Sequence, residues 1–186
     1  MSRIAPVTEP YAPGVAKQLA AMMPAGVPPI GLFRTFVCNL PMAQAMSGWG
    51  SYELSRRLSL TMRDREIVID RTCARCGCEY EWGVHVAFFG ERVDLSVAQI
   101  RSLTHGEGSD PCWTDERDRV LIAAVDELHS TATLTDELWN RLCSIFDDAE
   151  CLDLLFLCGW YHAISFAANG TRVALETEAP RFADVI

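Results

Sequence analysis

Apolar residues recur along most of this chain at intervals of three and four, the period of a helix with one buried face. The strict alternation that marks a half-buried strand is nearly absent. The clearest stretch follows Thr114, where Val120, Ala123, Ala124 and Leu128 fall on one side of a helix running to about His129. Start signals punctuate the pattern. Thr61-Met-Arg-Asp64 and Ser96-Val-Ala-Gln99 are capping boxes, which satisfy free backbone N–H groups at a helix start. They predict helices over Glu66–Cys76 and from Ser96 to about Leu103. Gly77 interrupts the first of these, and helical spacing resumes over Cys78–Gly90. The Gly106–Pro111 segment reads as a loop. Thr135 opens a further helix to about Phe146. Asp147 or Asp148 opens the last and longest one, with Asn169-Gly170 as its expected C-cap. The expectation is an all-α fold.

Seven of the nine prolines lie within the first 41 residues, and only Pro111 falls between Met42 and Ala179. The chain therefore reads as one domain, 1–186, with an irregular arm over 1–41 and a helical body over 42–186. Tyr11, Met22, Met23, Ile30, Leu32 and Phe33 give the arm apolar groups to bury, against its own body or a partner subunit.

Composition narrows the class. With 186 residues, 49% apolar and 22% charged, the chain can bury enough surface to fold without a disulfide or metal staple. Net charge is −9 and Lys17 is the only lysine, which argues against a nucleic-acid partner. A small anion held by one or two buried arginines remains compatible with that balance. Met1–Pro13 lacks the basic start and apolar run of a secretory signal. Leu154–Ala168 is interrupted by His162 and falls short of the ~20 residues of a membrane span, so it is expected to be a core helix. The eight cysteines form no secreted framework, and a reducing, cytoplasmic setting with free thiols and no membrane partner is expected.

The densest chemistry lies in Cys78-Glu-Tyr-Glu-Trp-Gly-Val-His85. Spacings of three, four and seven put Cys78, Glu81 and His85 on one helical stripe. If Glu66–Cys76 and Cys78–Gly90 pair antiparallel about Gly77, Glu66 comes level with His85–Phe89, and Cys73 with Tyr80–Glu81. Glu66 could then orient His85, and Cys78 at a helix start would have a lowered thiol pKa. The bland readings are a Glu81–His85 pair that only supports its helix, and Cys73 and Cys76 as small core residues. Cys38, Cys112, Cys143, Cys151 and Cys158 are assigned to packing. Cys73, Cys76, Cys78 and His85 are four soft donors, but structural zinc usually draws on two separated ligand pairs, so no metal is assigned. His162, in Gly159-Trp-Tyr-His162, either lines the same pocket with Tyr161 or satisfies a buried carbonyl.

From roughly Leu32 to Glu176, and above all in Arg65-Glu66 through His85 and in Gly159–His162, the chain resembles the carboxymuconolactone decarboxylase family. Relatives of that family include the alkyl hydroperoxidase D proteins. The resemblance implies an alkyl hydroperoxidase D-like helical bundle, a homo-oligomer (dimer, trimer or hexamer), a small-molecule substrate and no cofactor. It also carries roles to Glu66, Cys78 and His85, with Tyr80, Trp82, Tyr161 and His162 as pocket candidates. The chain departs from the hydroperoxidase pattern at two positions. Glu81 stands where the second cysteine of the redox pair belongs, and Tyr80 replaces a histidine. Any resolving thiol would have to be Cys73 or Cys76.

Three functions follow as expectations. The first is cofactor-independent acid–base chemistry on a small carboxylate, lactone or carbonyl substrate, with His85 tuned by Glu66 and Glu81 and with Arg34 or Arg75 binding a carboxylate. The second is a thiol-dependent peroxidase or disulfide reductase built on Cys78. The third is a non-catalytic oligomeric helical protein.

Overall fold

The computed structural model describes all 186 residues, Met1–Ile186. Nine α-helices follow one another: α1 (Pro13–Met22), α2 (Gly31–Phe36), α3 (Leu40–Glu53), α4 (Met62–Arg75), α5 (Glu79–Phe89), α6 (Val97–His105), α7 (Glu116–Thr131), α8 (Asp136–Cys143) and α9 (Asp148–Thr171). There is no strand. Thr61 and Ser96 close their capping boxes, and a third box joins Asp147 to Glu150 at the start of α9.

The expected boundaries shift in several places, with α4 starting at Met62 rather than Glu66 and α8 ending at Cys143 rather than near Phe146. The 1–41 arm is not wholly irregular, because Pro13 and Pro41 sit in first helical turns, where a missing N–H costs nothing. The arm packs on its own body: Leu19, Leu32 and Phe36 are core residues, and Arg3 N–H donates to Thr171 O at 2.7 Å. The helix expected from Thr114 is capped one residue later, by Asp115, whose carboxylate accepts from Arg117 N–H. Helix α9 also runs past Asn169-Gly170, ending where Arg172 turns left-handed at φ 52°.

Helix α4 occupies the centre, packed against α5, α6, α7 and α9. All ten residues from Asp64 to Cys73 are buried, although half of them carry charge: Asp64, Arg65, Glu66, Asp70 and Arg71. Partners make that burial tolerable for Asp64, Arg65, Glu66 and Arg71, while burial drives Asp70 toward its neutral acid form. Arg71 donates to both oxygens of Asp126 on α7, each at 2.7 Å, and to the carbonyls of Leu103 and Gly106 at the end of α6, each at 3.0 Å. Asp64 accepts two bonds of 2.9 Å from Arg117, which also reaches Glu150 at 2.7 Å. Helix α9 is long and apolar enough to pass for a membrane span by length and composition. Here its inner face, including Leu154, Leu157, Tyr161, Ile164 and Ala168, is buried in the core, while Leu152, Phe156 and Phe166 face outward.

Candidate active site

The chain reverses between α4 and α5 at Gly77, at φ +60°. Gly77 N–H bonds Ala74 O at 3.0 Å and Cys78 N–H bonds Cys73 O at 2.8 Å, the paired bonds of a Schellman turn. This geometry fixes the register of the hairpin. Glu66 comes level with His85, and their Oε2 and Nδ1 atoms are 2.7 Å apart. At the other ring nitrogen, Tyr161 of α9 places its hydroxyl 2.9 Å from His85 Nε2, with Glu81 Oε2 at 3.6 Å from the same nitrogen. Arg65 anchors the far side of Glu66, its Nε donating to Oε1 at 2.6 Å, and its guanidinium lies 5.0 Å over the Phe89 ring. The result is an enclosed chain, Arg65–Glu66–His85–Tyr161, with Glu81 beside it. Its members are all at most 5% exposed.

Burial alone would push the His85 pKa down. The charge and hydrogen bond of Glu66, aided by Glu81 and Asp70, override it and hold the imidazole above its usual value. Burial raises Glu81, with the nearby imidazole working against it. Asp70, one turn after Glu66, is driven well upward by burial and by the Glu66 charge, and its Oδ1 has no hydrogen-bond partner. Burial followed by the Glu81 and Glu66 charges likewise holds Tyr161 well above its usual value.

The thiols lie alongside. Cys78 is fully buried at the N-cap of α5, and its pKa is lowered, first by a hydrogen bond from the Cys73 thiol. The Glu81 backbone N–H and the Ser165 hydroxyl act the same way, while burial and the Glu81 charge oppose them. Cys73 is pushed well up, by burial first and then by the neighbouring Cys78.

The structure thus brings together Glu66, Glu81, His85 and Tyr161, with Cys73 and Cys78 as an adjoining pair. It does not bring in the other candidates. Tyr80 turns to the opposite side of α5, where its hydroxyl accepts from Leu32 N–H at 3.0 Å and donates to Glu176 Oε1. Trp82 packs against Phe182 of the C-terminal tail at 5.0 Å between ring centroids. His162 lies one residue past Tyr161 and so about 100° around α9, where its Nδ1 bonds Cys158 O at 2.8 Å. Cys76 turns toward His129. Of the arginines expected to take a substrate carboxylate, Arg75 leans on Asp126 at 3.5 Å and Arg34 Nε is buried without a hydrogen-bond partner. The cation that touches the His85 chain is Arg65. Arg65, Asp70 and Ser165 were not foreseen as site residues. Glu66, Asp70 and Cys73, spaced four and three apart on α4, were the available signal. A surface cleft of about 1140 Å³, lined by Arg71, Arg119, Asp126 and Arg141 among others, includes none of the His85 chain.

A strand-free bundle whose central helical hairpin presents Glu66 to His85 has the alkyl hydroperoxidase D-like helical fold, shared with the carboxymuconolactone decarboxylases. Three solved structures resemble it over nearly their whole length. One is an uncharacterized peroxidase-related protein from Silicibacter sp. TM1040, with a TM-score of 0.79, 17% identity, and coverage of 97% of this chain and 95% of that one. The others are of the debrominase Bmp8. The ligand-free form has a TM-score of 0.76 and 15% identity, covering 94% of this chain and 92% of that one. A cysteine-to-alanine variant in complex with 2,3,4-tribromopyrrole gives 0.77 and 14%, covering 96% and 94%. At these identities the likeness is one of fold. No protein-family model and no curated protein matches the sequence.

Proposed function

We propose that this protein is an enzyme performing cofactor-independent acid–base chemistry, decarboxylation or a related proton transfer, on a small carboxylate, lactone or carbonyl compound. The observation that carries the reading is the double engagement of His85: Glu66 at Nδ1, Tyr161 and Glu81 at Nε2. Glu66 holds Nδ1 as the protonated nitrogen, so Nε2 is the working one. In the neutral ring, Tyr161 O–H donates to Nε2. In the imidazolium, Nε2–H is available to a substrate. When a substrate C–CO₂⁻ bond breaks, carbon dioxide leaves and the electron pair passes into an adjacent carbonyl as an enolate. His85 Nε2–H then protonates the enolate carbon, and Glu81 in its acid form restores the proton to Nε2. Arg65, bound to Glu66 and the Leu54 carbonyl and stacked on Phe89, supplies the positive charge next to this chain.

The test is release of carbon dioxide, and deuterium uptake next to the carbonyl in D₂O, from a panel of β-keto acids and unsaturated lactone carboxylates. His85→Ala is expected to lower the rate by about 10²–10⁴-fold, and Cys78→Ser to leave it within about threefold of wild type. Loss of activity in Cys78→Ser would sink the reading.

A second reading is favoured by the lowered Cys78 pKa and its Cys73 partner. The Cys78 thiolate attacks a hydroperoxide O–O bond, releasing an alcohol and leaving a sulfenic acid. The Cys73 thiol then condenses with it, releasing water and forming a disulfide that an external dithiol reduces. This reading expects peroxide to consume both thiols and a Cys73–Cys78 peptide to appear by mass spectrometry. A peroxide-treated protein with neither disulfide nor sulfenate excludes it.

A further inference from the structure

Cys76 closes α4, His129 stands in the last turns of α7, and His162 in the middle of α9. None of them belongs to the His85 chain. Yet the Cys76 sulfur and one ring nitrogen each of His129 and His162 all lie within 4.8 Å of one another, at half-buried positions. His129 Nδ1 is 3.0 Å from His162 Nε2 and 3.9 Å from Cys76 Sγ.

Tetrahedral zinc, with bonds of about 2.3 Å to sulfur and about 2.0–2.1 Å to nitrogen, sets its ligands about 3.4 Å (N to N) and about 3.6 Å (S to N) apart. Two of the three separations depart from those by about 0.3–0.4 Å, and the third, between Cys76 and His162, is held within 4.8 Å. The orientation of His162 is a second observation. Its Nδ1 lies 2.8 Å from Cys158 O, and only an N–H can bond a carbonyl. The proton is therefore on Nδ1, and the Nε2 lone pair points at His129. Metal-bound imidazoles are held by the same kind of outer bond. Cys158 Sγ is 3.8 Å from the protonated nitrogen, on the wrong side of the ring to join. The nearby Asp126 carboxylate is engaged by Arg71 and Arg75.

We propose that Cys76, His129 and His162 form a binding site for a thiolate-accepting transition metal of the Zn²⁺ class, with three protein ligands and a fourth position for water or a small ligand. Without metal, His129 Nδ1–H donates to His162 Nε2. On binding, His129 shifts to its Nε2–H tautomer by exchange with solvent and the Cys76 thiol releases its proton to solvent, so that His129 Nδ1, His162 Nε2 and Cys76 Sγ each bond the metal.

The probe is Co²⁺, titrated into chelator-washed full-length protein under reducing conditions. One Co²⁺ per chain is expected, with a thiolate-to-cobalt band in the near ultraviolet and the strong visible bands of four-coordinate cobalt, bleached by Zn²⁺. Cys76→Ser should lose the thiolate band. His129→Gln and His162→Ala should each weaken binding by about a hundredfold, since even outer-partner losses cost 10–100-fold. Cys158→Ser, Cys78→Ser and His85→Ala should bind as wild type does. The absence of a thiolate band in the wild type would overturn the assignment. So would a band that survives Cys76→Ser but is lost in Cys78→Ser, which would place the metal on the Cys73–Cys78 pair. His162→Ala removes buried contacts, so circular dichroism accompanies each variant. A folded His129→Gln that binds Co²⁺ like wild type overturns the proposal by itself.

Discussion

Glu53 shows how much a single buried carboxyl can weigh. It is 1% exposed at the end of α3, accepts a hydrogen bond from Trp49 Nε1, and leaves Oε2 without a partner. Burial, helped by the nearby Asp153 charge and opposed by the Trp49 bond, pushes its pKa up to about 7 from 4.5. The sign follows from proton linkage: between those values the folded chain holds a proton that the unfolded chain releases, so stability falls as pH rises. Glu53→Gln is expected to flatten that decline. The difference in unfolding free energy between variant and wild type should grow in the variant's favour from pH 5 to pH 8 in urea titrations. A constant difference across that range would refute the assignment. At this same scale the sequence was partly legible. Glu66 opposite His85 follows from counting residues back from Gly77. Asp70 did not, because a charged residue four positions past Glu66 reads as a solvated helix face until the other helices are in place. Tyr161 was a candidate, but its bond to Nε2 depends on the rotation of α9, which no local spacing encodes.

Among the elements, the α4–α5 hairpin is the one on which the site depends. Gly77 at φ +60° has nothing within 4 Å of where a Cβ would stand, so a side chain there meets no steric barrier. Gly77→Ala should therefore cost only the left-handed backbone, about 1–2 kcal/mol, read as a lower urea midpoint with an unchanged slope. A changed slope or a lost fold would mean that the turn does more than reverse the chain. The capping boxes and this turn were readable because their signals are contained within four or five residues. The helices of the arm were not, because prolines at helix starts and prolines in irregular chain look alike without the core that α1 and α2 cover. The grouping of Cys76, His129 and His162 was hidden for a related reason. Its members come from three helices at separations of 53 and 33 residues, so no motif spacing announces them.

Across the whole molecule, α9 presents two different faces. Leu152 and Phe156 are each 57% exposed and Phe166 68%, and Trp49 lies edge-on to Phe156 at 6.0 Å. An outward apolar stripe of this kind fits self-association, which remains the reading proposed from the resemblance. Leu152→Glu with Phe156→Glu should reduce the mass measured by light scattering after size exclusion. A wild type that already runs at 20.7 kDa would remove that reading.

Helix α4 has a consequence of another kind. Asp64 and Arg71 are paired with charged groups on α7, and Glu66 with His85 on α5, so neither of those helices can peel away without stranding an ion in a dry interior. Partial opening on those two sides is costly. A protein built around a polar spine of this sort has few cheap intermediates between native and unfolded, and its cooperativity is enforced by electrostatics as much as by the apolar core around it.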